Sequence, residues 1–136
     1  MWLRCLADLI FPRKCEICGR LLTGDERYIC EDCMEDMPLT YYWDWPENPA
    51  EKKLWVRTHL HRVIPLFFYT RESRYITLIH KIKYQGKAHL GHYMGFMLGE
   101  KLRVVLSDVD YVVPIPLHPI RRWRRGYNQA EIIAGG

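Results

Sequence analysis

The spacing of apolar residues predicts two amphipathic helices in the middle of the chain. Residues 72–84 and residues 90–102 each carry apolar side chains at i, i+3 or i+4 and i+7, with polar residues between them. The second helix also contains Gly91, Gly95 and Gly99, which lower helix propensity. We therefore expect another backbone to approach this helix closely along the glycines.

Two other stretches are rich in β-branched and aromatic residues. Residues 62–69 and residues 108–116 predict strands, and the first contains a proline that favours an edge or a bulge. Strands that alternate with helices indicate an α/β fold with a mostly parallel sheet. In such a sheet, ligands bind at the carboxyl ends of the strands.

The composition excludes several classes of protein. The chain has 136 residues, 49% hydrophobic and 26% charged, which argues against intrinsic disorder. No apolar run approaches the length of a membrane span. The N-terminal stretch has leucines at helical spacing before Pro12, but Asp8 interrupts the apolar run that a secretory signal requires. We expect a short docking helix, in which Cys5 is a buried apolar residue, on a cytoplasmic protein.

Two Cys-x-x-Cys pairs lie near the N-terminus. Eleven residues separate Cys15-x-x-Cys18 from Cys30-x-x-Cys33. Each pair brings two thiolates to one side of a metal, and two pairs complete the tetrahedral sulfur site of structural zinc. Disulfides in a secreted protein, or a redox pair, are the alternatives. Because four thiolates leave no position for a water, the predicted zinc has a structural role.

The stretch between the cysteines and the first predicted strand has the composition of a boundary between two domains. Residues 37–53 contain three prolines and a dense group of aromatic residues. We predict an N-terminal helix and zinc ribbon at 1–45, a linker at 46–60 and an α/β domain at 61–136. The aromatic residues are expected to pack the linker onto that domain. The alternative is a stacking platform for single-stranded nucleic acid.

Residues 112–131 carry the most concentrated positive charge of the chain. Four arginines occur within five positions, between the second predicted strand and a predicted helix start. Asn128 begins a capping pattern in which its side chain is expected to accept from the Glu131 backbone N–H. A cation-rich loop at this place favours an anion, above all a phosphate. The arginines are Arg121, Arg122, Arg124 and Arg125.

Three groups of residues together resemble the ComF family of bacterial competence-associated proteins, which includes ComFC-like and GntX-like members. The first is the double Cys-x-x-Cys. The second is LIHKIKY at 78–84 followed by Gly86. The third and most specific is VPIPLHP at 113–119 with RGYNQA at 125–130. The resemblance covers essentially the whole chain.

The resemblance implies a zinc ribbon fused to a partial type I phosphoribosyltransferase-like domain. Family members are associated with uptake of single-stranded DNA in natural transformation, beside a helicase-like partner. The resemblance places the loop from Arg121 to Gln129 at the pyrophosphate side of a phosphoribosyl pyrophosphate site. The residues expected to contact phosphate are Arg121, Arg122, Arg124, Arg125, Gly126, Asn128 and Gln129.

One part of the family pattern is missing from this sequence. Such domains carry a later apolar strand with two adjacent acids and a Thr/Gly-rich phosphate loop, and no such segment is present. We therefore expect a C-terminal truncation and leave membership of the transferase class open. Two functions remain: binding of phosphoribosyl pyrophosphate or pyrophosphate by the complete protein, or non-catalytic binding of single-stranded DNA or of a protein partner.

Overall fold

The computed structural model describes residues 12–136, so the predicted docking helix and Cys5 lie outside the described residues. The described chain is built mainly from short helices, with a 3₁₀ turn at Tyr42–Asp44. The helices are α1 Glu31–Glu35, α2 Pro49–Trp55, α3 Ile76–Tyr84, α4 Ala88–Leu102, α5 Pro119–Arg125 and α6 Gln129–Ala134. The predicted helices at 72–84 and 90–102 correspond to α3 and α4.

The mostly parallel sheet predicted from the sequence is absent from residues 12–136. Within that range, β pairing is limited to isolated antiparallel bridges, one between Lys14 and Leu21 and one between Leu39 and Phe67. The predicted strand at 62–69 pairs only through Phe67, and residues 109–118 lie in no ladder. The β-propensity of both stretches reflects a preference for half-buried pleated surfaces, and no neighbouring strand offers such a surface here.

Two units can be distinguished by their internal contacts. One comprises Met1–Met37, of which the described part begins at residue 12, together with Tyr69–His80; the other comprises Pro38–Phe68 with Lys81–Gly136. The predicted boundaries at 1–45, 46–60 and 61–136 stay a prediction. Helix α2 lies inside the predicted linker.

In the first unit, the segment before α3 is held to α1. Tyr75 is buried, and its hydroxyl donates to the Cys33 carbonyl at 3.0 Å. Beside it, Arg74 donates to the Asp36 carboxylate at 2.7 Å. These two contacts join residues 74–75 to α1 and to the residue that follows it. Helix α1 contains Cys33, the last cysteine of the second pair.

In the second unit, a buried polar network holds α2. The Asn48 side chain accepts from two N–H groups of the first turn of α2 and donates to the Val63 carbonyl at 3.0 Å. Glu51 is 1% exposed and accepts from the Arg62 guanidinium at 2.9 Å. Because every one of these side-chain groups is partnered, the network is compatible with burial.

The predicted close approach of another backbone is confirmed at Gly95, whereas the near neighbour of Gly91 is a side chain. A Cβ at Gly95 would overlap the Ile133 carbonyl group of α6, and a Cβ at Gly91 would come within 2.6 Å of the Ile132 side chain. A Cβ at Gly99 would meet nothing within 4 Å. Thus α4 and α6 pack closely along one side of the second unit.

Candidate functional site

The four cysteines of the first unit form one compact cluster. Their sulfur atoms all lie within 4.8 Å of one another, and none of them forms a disulfide. A tetrahedral zinc site with Zn–S bonds of about 2.3 Å places its sulfurs about 3.8 Å apart. The Sγ atoms of Cys18 and Cys30 are 3.6 Å apart. Number, type and spacing of donors therefore fit a structural zinc ion held by Cys15, Cys18, Cys30 and Cys33.

The local backbone explains how the two cysteine pairs meet. The first pair lies on a tight turn in which the Gly19 N–H donates to the Cys15 carbonyl at 2.9 Å and Gly19 has φ +77°. Glycine adopts this left-handed conformation without a steric cost. The second pair begins at Cys30, immediately before α1, and continues to Cys33 within the helix.

Burial and backbone hydrogen bonds act in opposite directions on the thiols of the cluster. Burial of the Cys15 thiol opposes ionisation, but backbone N–H groups, those of Cys18 and Cys30 first, lower the pKa of Cys15 to about 6. Burial raises the pKa of Cys30 and of Cys33. Because the sulfurs must lose their protons to bind zinc, the affinity depends on pH.

The matched family is consistent with this geometry. Residues 6–42 match the model of the double zinc ribbon domain. This part of the chain is a zinc ribbon. The matched stretch contains four cysteines and no histidine, which is the donor set of one tetrahedral site. Neither a curated protein nor a solved structure gave a match to the chain.

A second candidate site lies in the second unit, far along the chain from the zinc ribbon. A cavity of about 430 Å³, here called the cationic cavity, opens beside the C-terminal ends of α3 and α5. None of the described residues that line it is acidic, and four of them are cationic. The lining residues are Lys83, Tyr84, Gly86, Arg121, Arg124 and Arg125.

The arginines lie on a helix and not, as predicted, on a flexible loop. Helix α5 begins at Pro119, whose fixed φ suits the first helical position, and the His118 side chain accepts from the Ile120 N–H. Arginine is itself a good helix former, so the run continues the helix. Gly126 then ends it with φ +85°.

The helical geometry separates the four arginines. Arg121, Arg124 and Arg125 line the cationic cavity, whereas Arg122 forms an ion pair with the Glu131 carboxylate at 3.3 Å. The i, i+3 and i+4 relation explains this separation, because residues at these distances share a helix face. Asn128 does cap the following helix, but the predicted partner was wrong. Its side chain accepts from the Ala130 N–H and not from that of Glu131.

Two hydrogen bonds fix the residues that follow α5. The Tyr127 hydroxyl donates to the Ile82 carbonyl of α3, and burial raises the pKa of Tyr127, so that the donor proton is retained. Asn128 is 2% exposed and donates to the Ile115 carbonyl at 2.9 Å. Gln129 carries a buried Nε2 atom without a hydrogen-bond partner. Gly126, Asn128 and Gln129 are not among the residues that line the cationic cavity.

Lys83 of α3 lines the cavity together with the arginines of α5. Tyr84 and Gly86 were not singled out as site residues, although both belong to the LIHKIKY segment and the glycine after it. No helix in the described part of the chain combines the length and apolar character that a bilayer span requires.

Proposed function

We propose that this chain is a phosphoribosyltransferase-like protein of the ComF type that binds phosphoribosyl pyrophosphate or pyrophosphate in the cationic cavity. We further propose that it acts in the cytoplasm in the handling of incoming DNA, beside a helicase-like partner. The zinc ribbon, together with the motifs at 78–84, 113–119 and 125–130, supports the family assignment. The phosphoribosyltransferase-like fold is part of the proposal.

The observation that carries the proposal is the composition of the cavity wall. Three arginines and Lys83 converge on one cavity without a lining carboxylate. Like charges this close repel one another, so an anion of high charge density would lower the free energy of the arrangement. Pyrophosphate has that density, and guanidinium groups bind its oxygens in pairs.

Each group has a defined task in this proposal. Arg121, Arg124 and Arg125 donate to phosphate oxygens, and Lys83 adds a mobile point charge from α3. Gly86 also lines the cavity and contributes no side chain to its wall. The zinc ribbon contributes stability and takes no part in the ligand chemistry, because its four sulfurs complete the coordination sphere.

The proposal is restricted to binding. The sequence lacks the paired acids and the Thr/Gly-rich phosphate loop of the family signature, which would hold the ribose and the 5-phosphate.

Isothermal titration of the chain with pyrophosphate and with phosphoribosyl pyrophosphate tests the proposal. The double substitution Arg124→Ala/Arg125→Ala should weaken binding at least tenfold, since each charge-assisted hydrogen bond contributes about 1.5–3 kcal/mol. Arg103→Ala removes one exposed charge of the same unit, outside the cavity, and should leave Kd unchanged. An unchanged Kd in the double variant would show that the cavity is not the anion site.

A non-catalytic module for single-stranded DNA is the second candidate. Trp123 is 86% exposed and lies on α5 among the arginines. Aromatic rings beside cations are typical of surfaces that bind single strands by stacking and by phosphate contacts. If this function is right, an oligonucleotide should bind with an affinity that falls steeply with salt, and Trp123→Ala should weaken it. Pyrophosphate binding in the absence of oligonucleotide binding at low salt would favour the first function.

A further inference from the structure

We infer that Tyr84 is a positioning residue for Arg125: its ring holds the guanidinium at the cationic cavity before the anion arrives. The inference rests on the proposed anion-binding function and adds a determinant of affinity outside the set of cations. It concerns the contact between the end of α3 and the end of α5, both within the second unit.

The contact itself is a cation–π interaction. The Cζ atom of Arg125 lies 5.6 Å from the centroid of the Tyr84 ring, within the range at which such pairs attract. Both residues line the cavity. Tyr84 is 73% exposed, so its ring contributes little to the hydrophobic core. Ile82, two residues earlier, is 2% exposed and belongs to that core.

The charge of the cavity explains why such a partner matters. Lys83, Arg121 and Arg124 surround Arg125 with positive charge, and the described lining contains no carboxylate. Without an anion, repulsion drives long cationic side chains apart and into solvent. A tyrosine face attracts a guanidinium without neutralising it, so the charge of Arg125 remains available to a phosphate.

A second contact fixes the backbone on both sides of the pair. The Tyr127 hydroxyl donates to the Ile82 carbonyl, so that residues 125–127 and residues 82–84 are joined twice. Arg125 is also less exposed than Arg121 and Arg124. A side chain already held in place loses less conformational entropy when it binds, which raises affinity without any new ligand contact.

A double-mutant cycle on pyrophosphate binding tests the inference. Titrations at low salt would compare the unsubstituted chain with Tyr84→Leu, Arg125→Ala and the double variant Tyr84→Leu/Arg125→Ala. Tyr84→Leu should raise Kd about two- to fivefold when Arg125 is present, the range expected for an exposed cation–π pair, and should have no effect when it is absent. Tyr84→Phe keeps the aromatic face and should bind like the unsubstituted chain.

Two controls separate positioning from a general loss of structure. Tyr111→Leu removes another exposed tyrosine, 84% exposed and outside the cavity, and should leave Kd unchanged. Thermal unfolding of each variant checks that the fold is kept, and Tyr84→Gln serves as a second truncation if the leucine variant is unstable.

The outcomes are distinct. An equal loss of affinity from Tyr84→Leu with and without Arg125 would mean that Tyr84 acts through the ligand or the fold, and would overturn the inference. No loss in either background would overturn it as well. In both cases the proposed function stands, provided that the unsubstituted chain binds pyrophosphate. Failure of that chain to bind pyrophosphate would overturn both.

Discussion

Gly95 of α4 lies directly against the backbone carbonyl group of Ile133 in α6. A methyl group at position 95 has no room, because the obstructing atoms belong to the main chain and cannot rotate away. Gly95→Ala should therefore destabilise the second unit by about 1–3 kcal/mol, the usual range for overpacking, or prevent α6 from docking. Chemical denaturation followed by circular dichroism measures the loss.

The same helix provides the matched control. Gly99 has open space at its hypothetical Cβ, so Gly99→Ala should stabilise the chain by up to about 1 kcal/mol through helix propensity alone. If Gly95→Ala lowers the free energy of unfolding and Gly99→Ala raises it, the close packing of α4 on α6 is established. Two stabilising substitutions would mean that α6 does not contact α4.

The zinc ribbon should bind a single zinc ion per chain. Metal analysis of the purified protein is expected to show that stoichiometry, and replacement with cobalt should give the absorption of a tetrahedral thiolate site. Cys30→Ser should abolish binding, because it removes a fully buried ligand of the cluster. Cys5→Ser, outside the cysteine cluster in sequence, should leave the stoichiometry intact.

Removal of the metal should unfold the ribbon. Binding and folding are coupled in small zinc modules, so a chelator is expected to abolish the structured state of the first unit. Proteolysis in the presence of chelator should then cut within residues 12–37. Resistance to cleavage after complete zinc removal would contradict a structural role for the metal.

Glu26 makes the stability of the ribbon dependent on pH. Its carboxylate accepts from the Thr23 N–H at 2.6 Å and from the Glu31 N–H at 2.8 Å, and these bonds lower the pKa of Glu26 to about 2 from an ordinary value of 4.5. A lowered pKa in the folded state stabilises the protein above the unfolded value. That contribution is lost as the pH falls from 4.5 through about 2.

Glu26→Gln should therefore be less stable than the unsubstituted chain at neutral pH, and the difference should shrink between pH 4.5 and pH 2. Denaturation measured across this range gives the difference directly. Each denaturation is run with excess zinc, and only pH values at which both proteins still hold the metal are compared, because release of zinc would unfold the ribbon in both. Asp25→Asn removes the charge of an exposed neighbour and is the matched control for the substitution itself.

The buried pair of Glu51 and Arg62 should respond strongly to the loss of one partner. Arg62→Leu leaves a carboxylate that is 1% exposed without its guanidinium, and the expected cost is about 3–5 kcal/mol. The double variant Glu51→Leu/Arg62→Leu removes both charges and should recover part of that loss. If the single and double variants were equally unstable, packing and not charge would hold α2.

Periodicity and short-range motifs predicted the features that depend on neighbouring residues. The double Cys-x-x-Cys was sufficient for the metal site, because the first pair lies on one tight turn and the second at the start of one helix. The amphipathic pattern was sufficient for α3 and α4, and the glycine spacing correctly indicated close backbone contact at Gly95. The prediction of strands at 62–69 and 108–116 was wrong. A strand needs a neighbouring strand to pair with, and the sequence of the strand itself does not specify that partner.

Contacts between distant residues were not predictable either. Nothing in the stretch around Tyr75 indicates that its hydroxyl donates to Cys33. The composition of residues 46–60 suggested a linker, yet Asn48 and Glu51 are buried in a polar network completed by Arg62. The arginine run was predicted to lie in a loop, whereas Pro119 begins a helix that contains all four arginines.

The close packing of α4 on α6 also has a topological consequence. The segment from Arg103 to Asn128 connects these two helices and includes the whole arginine helix. The contact between α4 and α6 therefore closes this segment into a loop. The entropy cost of closing that loop is part of the cost of folding. Binding of a ligand in the cavity therefore does not include it. The close approach of α4 and α6 at Gly91 and Gly95 therefore holds together the two ends of the segment that carries the arginine helix.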